Sequence, residues 1–233
     1  MDRKHLLAAG MAMAMAATLA QAGEIDHVIL AVPELDKGGA ELAARTGIVT
    51  EFGGVHISGD TANRLASLGG KTYLEVLGPA PGKAPSGDGA GLAKLDGPVP
   101  DTFAVRVTDA DAAAARFKAA GLKVSEVIAG GRTTPRGQTL HWKTFGVEAG
   151  EFCSLVPFFI EWSADTAHPS STAPQGAKLE AIRISHPRAA ELTRLYGVLG
   201  VPLKVAQGPA RMELVLTGAR GTATYGGAPT CEP

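Results

Sequence analysis

The sequence predicts an α+β protein in which tandem βαβββ modules form a curved mixed sheet around a cleft, followed by a third, partial module. One observation is that a strand, an amphipathic helix and further strands recur in this order, at a period of roughly 75–78 residues. A second is that each unit has only one helix, which covers one face of a small sheet and leaves the other face in need of a partner. A third is that the connectors between units are rich in Pro and Gly. We expect paired modules in residues 23–165, a linker at 166–177 and the third module, of βαβ type, at 178–228.

The first unit begins with an apolar strand, Ile25–Val32, which is followed by an amphipathic helical stretch, Leu35–Arg45. Three strands come next, at Ile48–Thr50, Thr61–Leu68 and Lys71–Leu77, and Gly69-Gly70 forms a hairpin turn between the last two. The connector Gly78–Gly97 is long and rich in Gly and Pro. A segment of this kind is typical of a lid or a mobile loop.

The second and third units repeat this order of elements. The second unit is predicted to contain strand Thr102–Val107, helix Ala110–Ala120 and strands Leu122–Val127, Gln138–Phe145 and Phe152–Ile160. The third is predicted to contain strand Leu179–Ser185, helix Arg188–Leu199 and strands Val201–Val205, Met212–Thr217 and Thr222–Tyr225. Because Ala181 stands where the first unit has a histidine, we assign the third unit a structural or partner role.

The first 22 residues have the pattern of a secretory signal peptide. A short basic start precedes an apolar run rich in Leu, Ala and Met, and Ala20-Gln21-Ala22 has the small-x-small pattern of a cleavage site. The sequence therefore predicts cleavage after Ala22 and a periplasmic or secreted protein. No other apolar run is long enough to span a bilayer, so no membrane association is expected after the signal is removed.

Composition limits the partners of the protein. Its 22 basic and 23 acidic residues give a net charge of −1, which provides no electrostatic footprint for nucleic acid. The sequence has neither a Gly-x-Ser-x-Gly elbow nor a complete phosphate-binding loop of the form Gly-x-x-x-x-Gly-Lys-Ser/Thr. We expect a small-molecule substrate or ligand and a monomer or homodimer.

Cys153 and Cys231 are the only cysteines, and their pairing is left open.

Two ionisable residues interrupt apolar strands of the first unit, His27 in Ile25–Val32 and Glu75 in Lys71–Leu77. Strand alternation places Tyr73 on the same face as Glu75. A carboxylate on a buried face is costly unless a metal ion, a histidine or an arginine meets it. His27 and Glu75 on neighbouring strands would form half of a metal site, and Tyr73 is a candidate substrate-binding residue.

The chain resembles the glyoxalase-like domain family of the vicinal oxygen chelate superfamily, which includes glyoxalases, extradiol dioxygenases and fosfomycin-resistance proteins. The segments that carry the resemblance are Ile25–Pro33, Gly53–His56, Thr61–Asn63, Tyr73–Pro79, Pro157–Trp162 and His168-Pro169. In this superfamily, metal ligands come from the first and last strands of two paired modules. The resemblance implies that His27, Glu75 and Glu161 are ligands, and Phe103 stands where a fourth is expected.

Further candidates lie in loops and in the second module. His56 lies in a loop just after Gly53-Gly54. It is expected to replace the missing metal ligand or to act with Glu75 in acid–base catalysis. A histidine that is simply exposed to solvent in a loop is the alternative interpretation. Asn63 is a candidate for binding substrate or for capping a turn, and His141 for lining the cleft or facing solvent. Arg183, His186 and His168 are interpreted as surface or structural residues.

Two functions follow from these observations. The first is a metal-dependent lyase, isomerase or dioxygenase acting on a small substrate with vicinal oxygens. Two histidines and one carboxylate suit Fe(II), whereas a site richer in carboxylates suits Mn, Ni or Zn. The second is a metal-free binding or resistance protein that uses the same cleft, with His27 and Glu75 paired to each other. The His–Glu pair favours the first function, and Phe103 favours the second.

Overall fold

The computed structural model describes residues 23–231, so the predicted signal peptide lies outside the described residues. The strands are β1 (Glu24–Ala31), β2 (Glu51–Val55), β3 (Thr61–Ser67), β4 (Tyr73–Pro79), β5 (Val99–Arg106), β6 (Ile128–Thr133), β7 (Thr139–Phe145), β8 (Phe158–Trp162), β9 (Lys178–His186), β10 (Val205–Gln207), β11 (Arg211–Gly218) and β12 (Gly221–Gly227). The helices are α1 (Leu35–Thr46), α2 (Gly87–Leu92), α3 (Ala110–Ala119), α4 (Pro169–Thr172) and α5 (Ala189–Leu199), with a 3₁₀ helix at Gly150–Leu155.

The strands form two sheets, and the predicted fold class is confirmed. Eight strands lie in the order β2-β3-β4-β1-β5-β8-β7-β6, and the remaining four in the order β10-β9-β11-β12. The large sheet curves until its two end strands, β2 and β6, contact each other. An ion pair of 2.9 Å between Arg136 and Glu51 lies across this junction. We call the junction of β2 with β6 the seam.

Four predicted elements differ from the structure. The strand predicted at Val201–Val205 is instead β10, Val205–Gln207. Leu122–Val127 forms no strand, and only an isolated bridge joins Val124 to Val147. The strand predicted at Ile48–Thr50 lies instead at Glu51–Val55, directly after the predicted segment. The segment before Phe158 is a 3₁₀ helix rather than a strand, because Cys153 is disulfide-bonded to Cys231 and Ser154 bonds to the same C-terminal tail. Packing against a distant tail cannot be predicted from local strand propensity.

One continuous hydrophobic core joins the two sheets. Helix α5 packs Leu192, Tyr196 and Leu199 into the same buried cluster as the strand residues Phe103 and Val105. The Tyr196 ring meets Phe103 edge to face, with 6.5 Å between ring centroids. The small sheet is therefore packed against the outer, helix-bearing side of the large one. Within residues 23–231, no helix is both long and apolar enough to cross a membrane.

A β-bulge in β1 determines which side chains reach the inner face of the large sheet. Ile25 pairs with Val105 and His27 pairs with Ala104, so Asp26 is an extra residue in β1. A bulge of this kind re-aims side chains, and Asp26 and His27 both contact inner-face residues. Phe103 pairs with Val28 and packs in the core on the opposite face. The residue paired with His27 is therefore Ala104. Phe103, which stands where the resemblance implied a fourth ligand, faces away from His27 into the core.

Candidate functional site

Glu75 is the centre of a buried polar cluster on the inner face of the large sheet. Strand β4 places it there with only 6% of its surface exposed. Its Oε2 lies 3.5 Å from His27 Nε2, and its Oε1 lies 3.4 Å from His56 Nε2. Asn63 Nδ2 donates a hydrogen bond of 2.8 Å to Oε1. The structure therefore brings together four residues that the sequence singled out, His27, His56, Asn63 and Glu75, and their roles stay predictions.

Asp26 extends this cluster and was not among the predicted site residues. Its side chain is fully buried and lies 2.8 Å from His27 Nδ1 and 3.0 Å from His168 Nε2. It also accepts hydrogen bonds from Arg106 Nε at 2.9 Å and from Trp162 Nε1 at 3.2 Å. Two carboxylates thus alternate with three imidazoles in the order His168, Asp26, His27, Glu75 and His56, a set that we call the acid–imidazole chain.

Both carboxylates are ionised at neutral pH despite their burial. Burial alone would raise the pKa of Asp26, but hydrogen bonds from His168 and His27 and the charges of those rings lower it well below its usual range. Burial also opposes the ionisation of Glu75. The hydrogen bond and charge of His56, the charge of His27 and the Asn63 amide outweigh this effect and lower its pKa to about 2.

Tyr73 lies directly behind His27. The two rings stack with 4.5 Å between centroids, and only 4% of Tyr73 is exposed. Burial, followed by the charge of Glu75, raises the pKa of Tyr73 well above its usual value, so the phenol stays neutral. The structure places Tyr73 beside the predicted site, where it packs against one face of the His27 ring. Its role in binding substrate stays a prediction.

Arg132 holds the Asn63 amide in one orientation. From strand β6, Arg132 Nη1 donates to the carbonyl oxygen of Gly53 and, at 3.3 Å, to Asn63 Oδ1. Because Oδ1 faces a guanidinium, the amide nitrogen of Asn63 points toward Glu75. A β-carbon at position 53 would lie 2.3 Å from Asn63 Oδ1 and 2.6 Å from Arg132 Nη1. Glycine at position 53 is therefore required for this contact between the two ends of the sheet.

We expect Gly53→Ala to lower the free energy of unfolding by about 1–3 kcal/mol, because the added methyl group must displace Asn63 or Arg132. Urea denaturation measures the effect. Gly97→Ala is the matched control, since no atom lies within 4 Å of the position of its added methyl group. Equal stability of the two variants would show that Arg132 and Asn63 do not approach each other as described.

The donor atoms around Glu75 do not form a metal site. Within residues 23–231, no group of three or more His, Cys, Asp or Glu side chains is arranged to hold a metal ion. The reason lies in Asn63, whose Nδ2 is 2.8 Å from Glu75 Oε1 and 3.2 Å from His56 Nε2. An N–H donor, rather than a third metal-binding atom, therefore lies beside both Glu75 Oε1 and His56 Nε2. The donor set does not fit the metal centre that the resemblance implied.

Glu161 lies apart from the other predicted ligands. Its Oε2 accepts a hydrogen bond of 2.8 Å from the backbone nitrogen of Ala110, at the start of helix α3 on the outer face. Alternation along β8 instead turns its neighbour Trp162 toward Asp26. The structure therefore does not bring Glu161 together with His27 and Glu75 as expected. Glu161 instead caps the start of helix α3.

Two further histidines lie where the sequence did not clearly place them. His141 lines a cavity of about 820 Å³ at the seam. His168, interpreted from the sequence as a surface or structural residue, belongs to the acid–imidazole chain through Asp26. Its position follows from helix α4, which folds the Ala164–Gly176 connector back onto β3. That long-range contact leaves no local signal in the sequence.

Comparison with known families decides the classification of this fold. The sequence model of a family described as the glyoxalase-like domain matches residues 25–200. The chain belongs to the glyoxalase-like domain family. This confirms the resemblance to the vicinal oxygen chelate superfamily that the sequence motifs indicated. The match covers β1 to α5, and therefore all five members of the acid–imidazole chain.

Solved structures are similar to this chain at low sequence identity. A hypothetical protein from Staphylococcus aureus is 14% identical, with a TM-score of 0.60 over 88% of this chain and 86% of that chain. A methylmalonyl-CoA epimerase from Mycobacterium tuberculosis is 20% identical, with a TM-score of 0.47 over 64% and 94%. A variant of the Streptomyces coelicolor methylmalonyl-CoA epimerase, in complex with 2-nitronate-propionyl-CoA, is 21% identical, with a TM-score of 0.46 over 63% and 99%. No curated protein matches the chain.

Proposed function

We propose that this protein is an isomerase or lyase that moves a proton on a small oxygen-bearing substrate, and that Glu75 and His56 exchange that proton. One observation carries the proposal: an ionised, buried carboxylate lies within 3.5 Å of two imidazoles. A buried carboxylate with a perturbed pKa, held beside imidazoles, is typical of acid–base sites. We further propose that the protein is exported, because residues 1–22 have a signal-peptide pattern.

The two ends of the acid–imidazole chain have different tasks in this proposal. Glu75 accepts a proton from the carbon next to a substrate carbonyl, and the electron pair of that C–H bond moves onto the carbonyl oxygen as an enolate. His56, in its neutral form, then receives the proton from Glu75 at Nε2 across 3.4 Å and becomes an imidazolium. The His56 side chain is 26% exposed, and its Nδ1 lies 2.7 Å from Thr61 Oγ1, so it can return the proton to the product or to water. Asp26 orients His27 through Nδ1, which fixes the ring edge that faces Glu75.

Proton transfer without a bound metal has the better support, because the Asn63 amide N–H lies within hydrogen-bonding distance of both Glu75 Oε1 and His56 Nε2, where a metal site would have another ligand. Metal analysis of protein purified without chelators, repeated on Glu75→Ala, separates the alternatives. We expect substoichiometric metal in both proteins. Stoichiometric metal in the wild type that is lost in the variant would support the metal-dependent lyase, isomerase or dioxygenase instead.

We expect Glu75→Gln to slow proton exchange by at least about 100-fold, because the amide keeps the shape of the side chain but cannot accept the proton. Deuterium incorporation from D₂O into pyruvate, oxobutanoate and dihydroxyacetone, followed by NMR, measures this exchange. Glu126→Gln is the matched control at an exposed glutamate. Equal exchange by the wild type and Glu75→Gln would contradict the proposal.

A metal-free binding protein is the second candidate function. The observation that favours it is the 820 Å³ cavity at the seam, whose lining does not include His27, Asn63 or Glu75. In that case the acid–imidazole chain stabilises the closed sheet while the cavity holds the ligand. Saturable ligand binding by a wild-type protein that exchanges no substrate protons would support this function over the enzyme.

A further inference from the structure

Arg132 is a buried cation without an acidic partner among residues 23–231. Only 7% of its surface is exposed, and its two hydrogen bonds both use Nη1. The other arginines near the two ends of the large sheet are paired: Arg136 with Glu51 and Arg64 with Asp36. A guanidinium removed from water without a carboxylate or phosphate is costly, which points to an anion that belongs beside Arg132.

The remaining donors of Arg132 are available to such an anion. Nε and Nη2 form no hydrogen bond to a described residue. Neither atom is completely buried, because the one fully buried side-chain N or O atom without a partner in residues 23–231 is the Tyr225 hydroxyl. These two nitrogens are therefore accessible to a small molecule. Together they present two parallel N–H groups, the arrangement that binds both oxygens of a carboxylate.

The cavity at the seam supplies space for the rest of the ligand. Arg132 is among its lining residues, and its volume of about 820 Å³ suits a small organic molecule. Apolar groups from both sides of the seam form much of the wall, including Phe52, Val55, Ile57 and Pro135. Ile57 is 89% exposed and Val55 is 41% exposed, so both leave apolar surface uncovered. Apolar surface beside one buried cation fits an amphipathic anion.

We propose that the seam cavity binds a small carboxylate with an apolar body, and that Arg132 Nε and Nη2 hold its carboxylate. The apolar body lies against Phe52, Val55 and Ile57. Arg132 also orients Asn63, which donates to Glu75, so the bound anion contacts the residue that links the cavity to the acid–imidazole chain. Only the identification of this ligand as the substrate rests on the proposed function.

Matched acid and amide probes test the proposal. Titration calorimetry of the wild type with hexanoate and hexanamide, and with hydrocinnamate and hydrocinnamamide, compares ligands that differ only in the charged group. We expect the acids to bind at least about tenfold more tightly than the amides. Arg132→Gln should remove this preference, and Arg136→Gln should keep it. Thermal unfolding of each variant establishes that it is folded.

The comparison of acid and amide binding by the wild type decides the question even if Arg132→Gln fails to fold. Equal binding of acid and amide by the wild type, or no binding of either acid, would overturn it. An acid preference that survives in folded Arg132→Gln would assign the anion to another group. Glu126→Gln, at an exposed glutamate, should bind the acids as the wild type does. If the wild type prefers the acids but exchanges no substrate protons, only the proposed enzyme function is rejected. If it exchanges substrate protons but does not prefer the acids, only the carboxylate site is rejected.

Discussion

Replacing Asp26 with alanine is expected to lower the free energy of unfolding by about 3–5 kcal/mol, the range for removing one partner from a buried charge network. The carboxylate is fully buried and meets His27, His168, Trp162 and Arg106. Alanine would leave ring and guanidinium N–H groups buried without an acceptor. It would also release His27 from the orientation that presents Nε2 to Glu75.

Glu24→Ala provides a matched control for Asp26→Ala in urea denaturation. Glu24 also pairs with Arg106, at 2.8 Å, but its side chain is 73% exposed. Solvent-exposed ion pairs contribute about 0–1 kcal/mol, so this variant should remain close to the wild type. If Asp26→Ala were no less stable than Glu24→Ala, Asp26 would not be the anchor of the acid–imidazole chain.

The stability of the protein is expected to fall in acid through Glu75. Its pKa is about 2 in the folded protein and near 4.5 when unperturbed. A lowered folded-state pKa stabilises the fold at pH values above 4.5, and this contribution is lost as the pH falls toward about 2. The difference corresponds to roughly 3 kcal/mol. Asp26, whose pKa is also lowered, acts in the same direction.

Unfolding free energies of the wild type and Glu75→Gln, measured between pH 6 and pH 2, isolate this contribution. The glutamine variant keeps Asp26 but has no carboxyl group to titrate at position 75, so its curve should be flatter over the acid range. Glu126→Gln should follow the wild type. Parallel curves for the wild type and Glu75→Gln would show that the Glu75 pKa is not lowered by folding.

The sequence predicted the part of the site that follows from local strand alternation. His27 and Glu75 are each conspicuous in an apolar strand, and the parity of their neighbours places them on one face. Asp26 could not be predicted in the same way. It reaches the inner face only because β1 is bulged against β5, and the extra residue is visible only in the pairing of the two strands.

Other parts of the site depend on contacts between distant segments. Arg132 reaches Asn63 because curvature of the sheet brings β6 to β2, and neither strand contains a signal of that closure. Glu161 illustrates the opposite error. Its residue type and family position suggested a ligand, but the register of β8 turns it toward the start of α3. A one-residue difference in register moves a side chain to the other face.

The most direct test of the proposed catalysis is deuterium exchange by protein from which metal ions have been stripped with chelator. We expect the stripped wild type to exchange substrate protons at the rate of the untreated protein, and Glu75→Gln to be slower by at least about 100-fold in both preparations. Exchange that disappears on chelation and returns on addition of a divalent metal would contradict proton transfer by Glu75 and His56 without a metal.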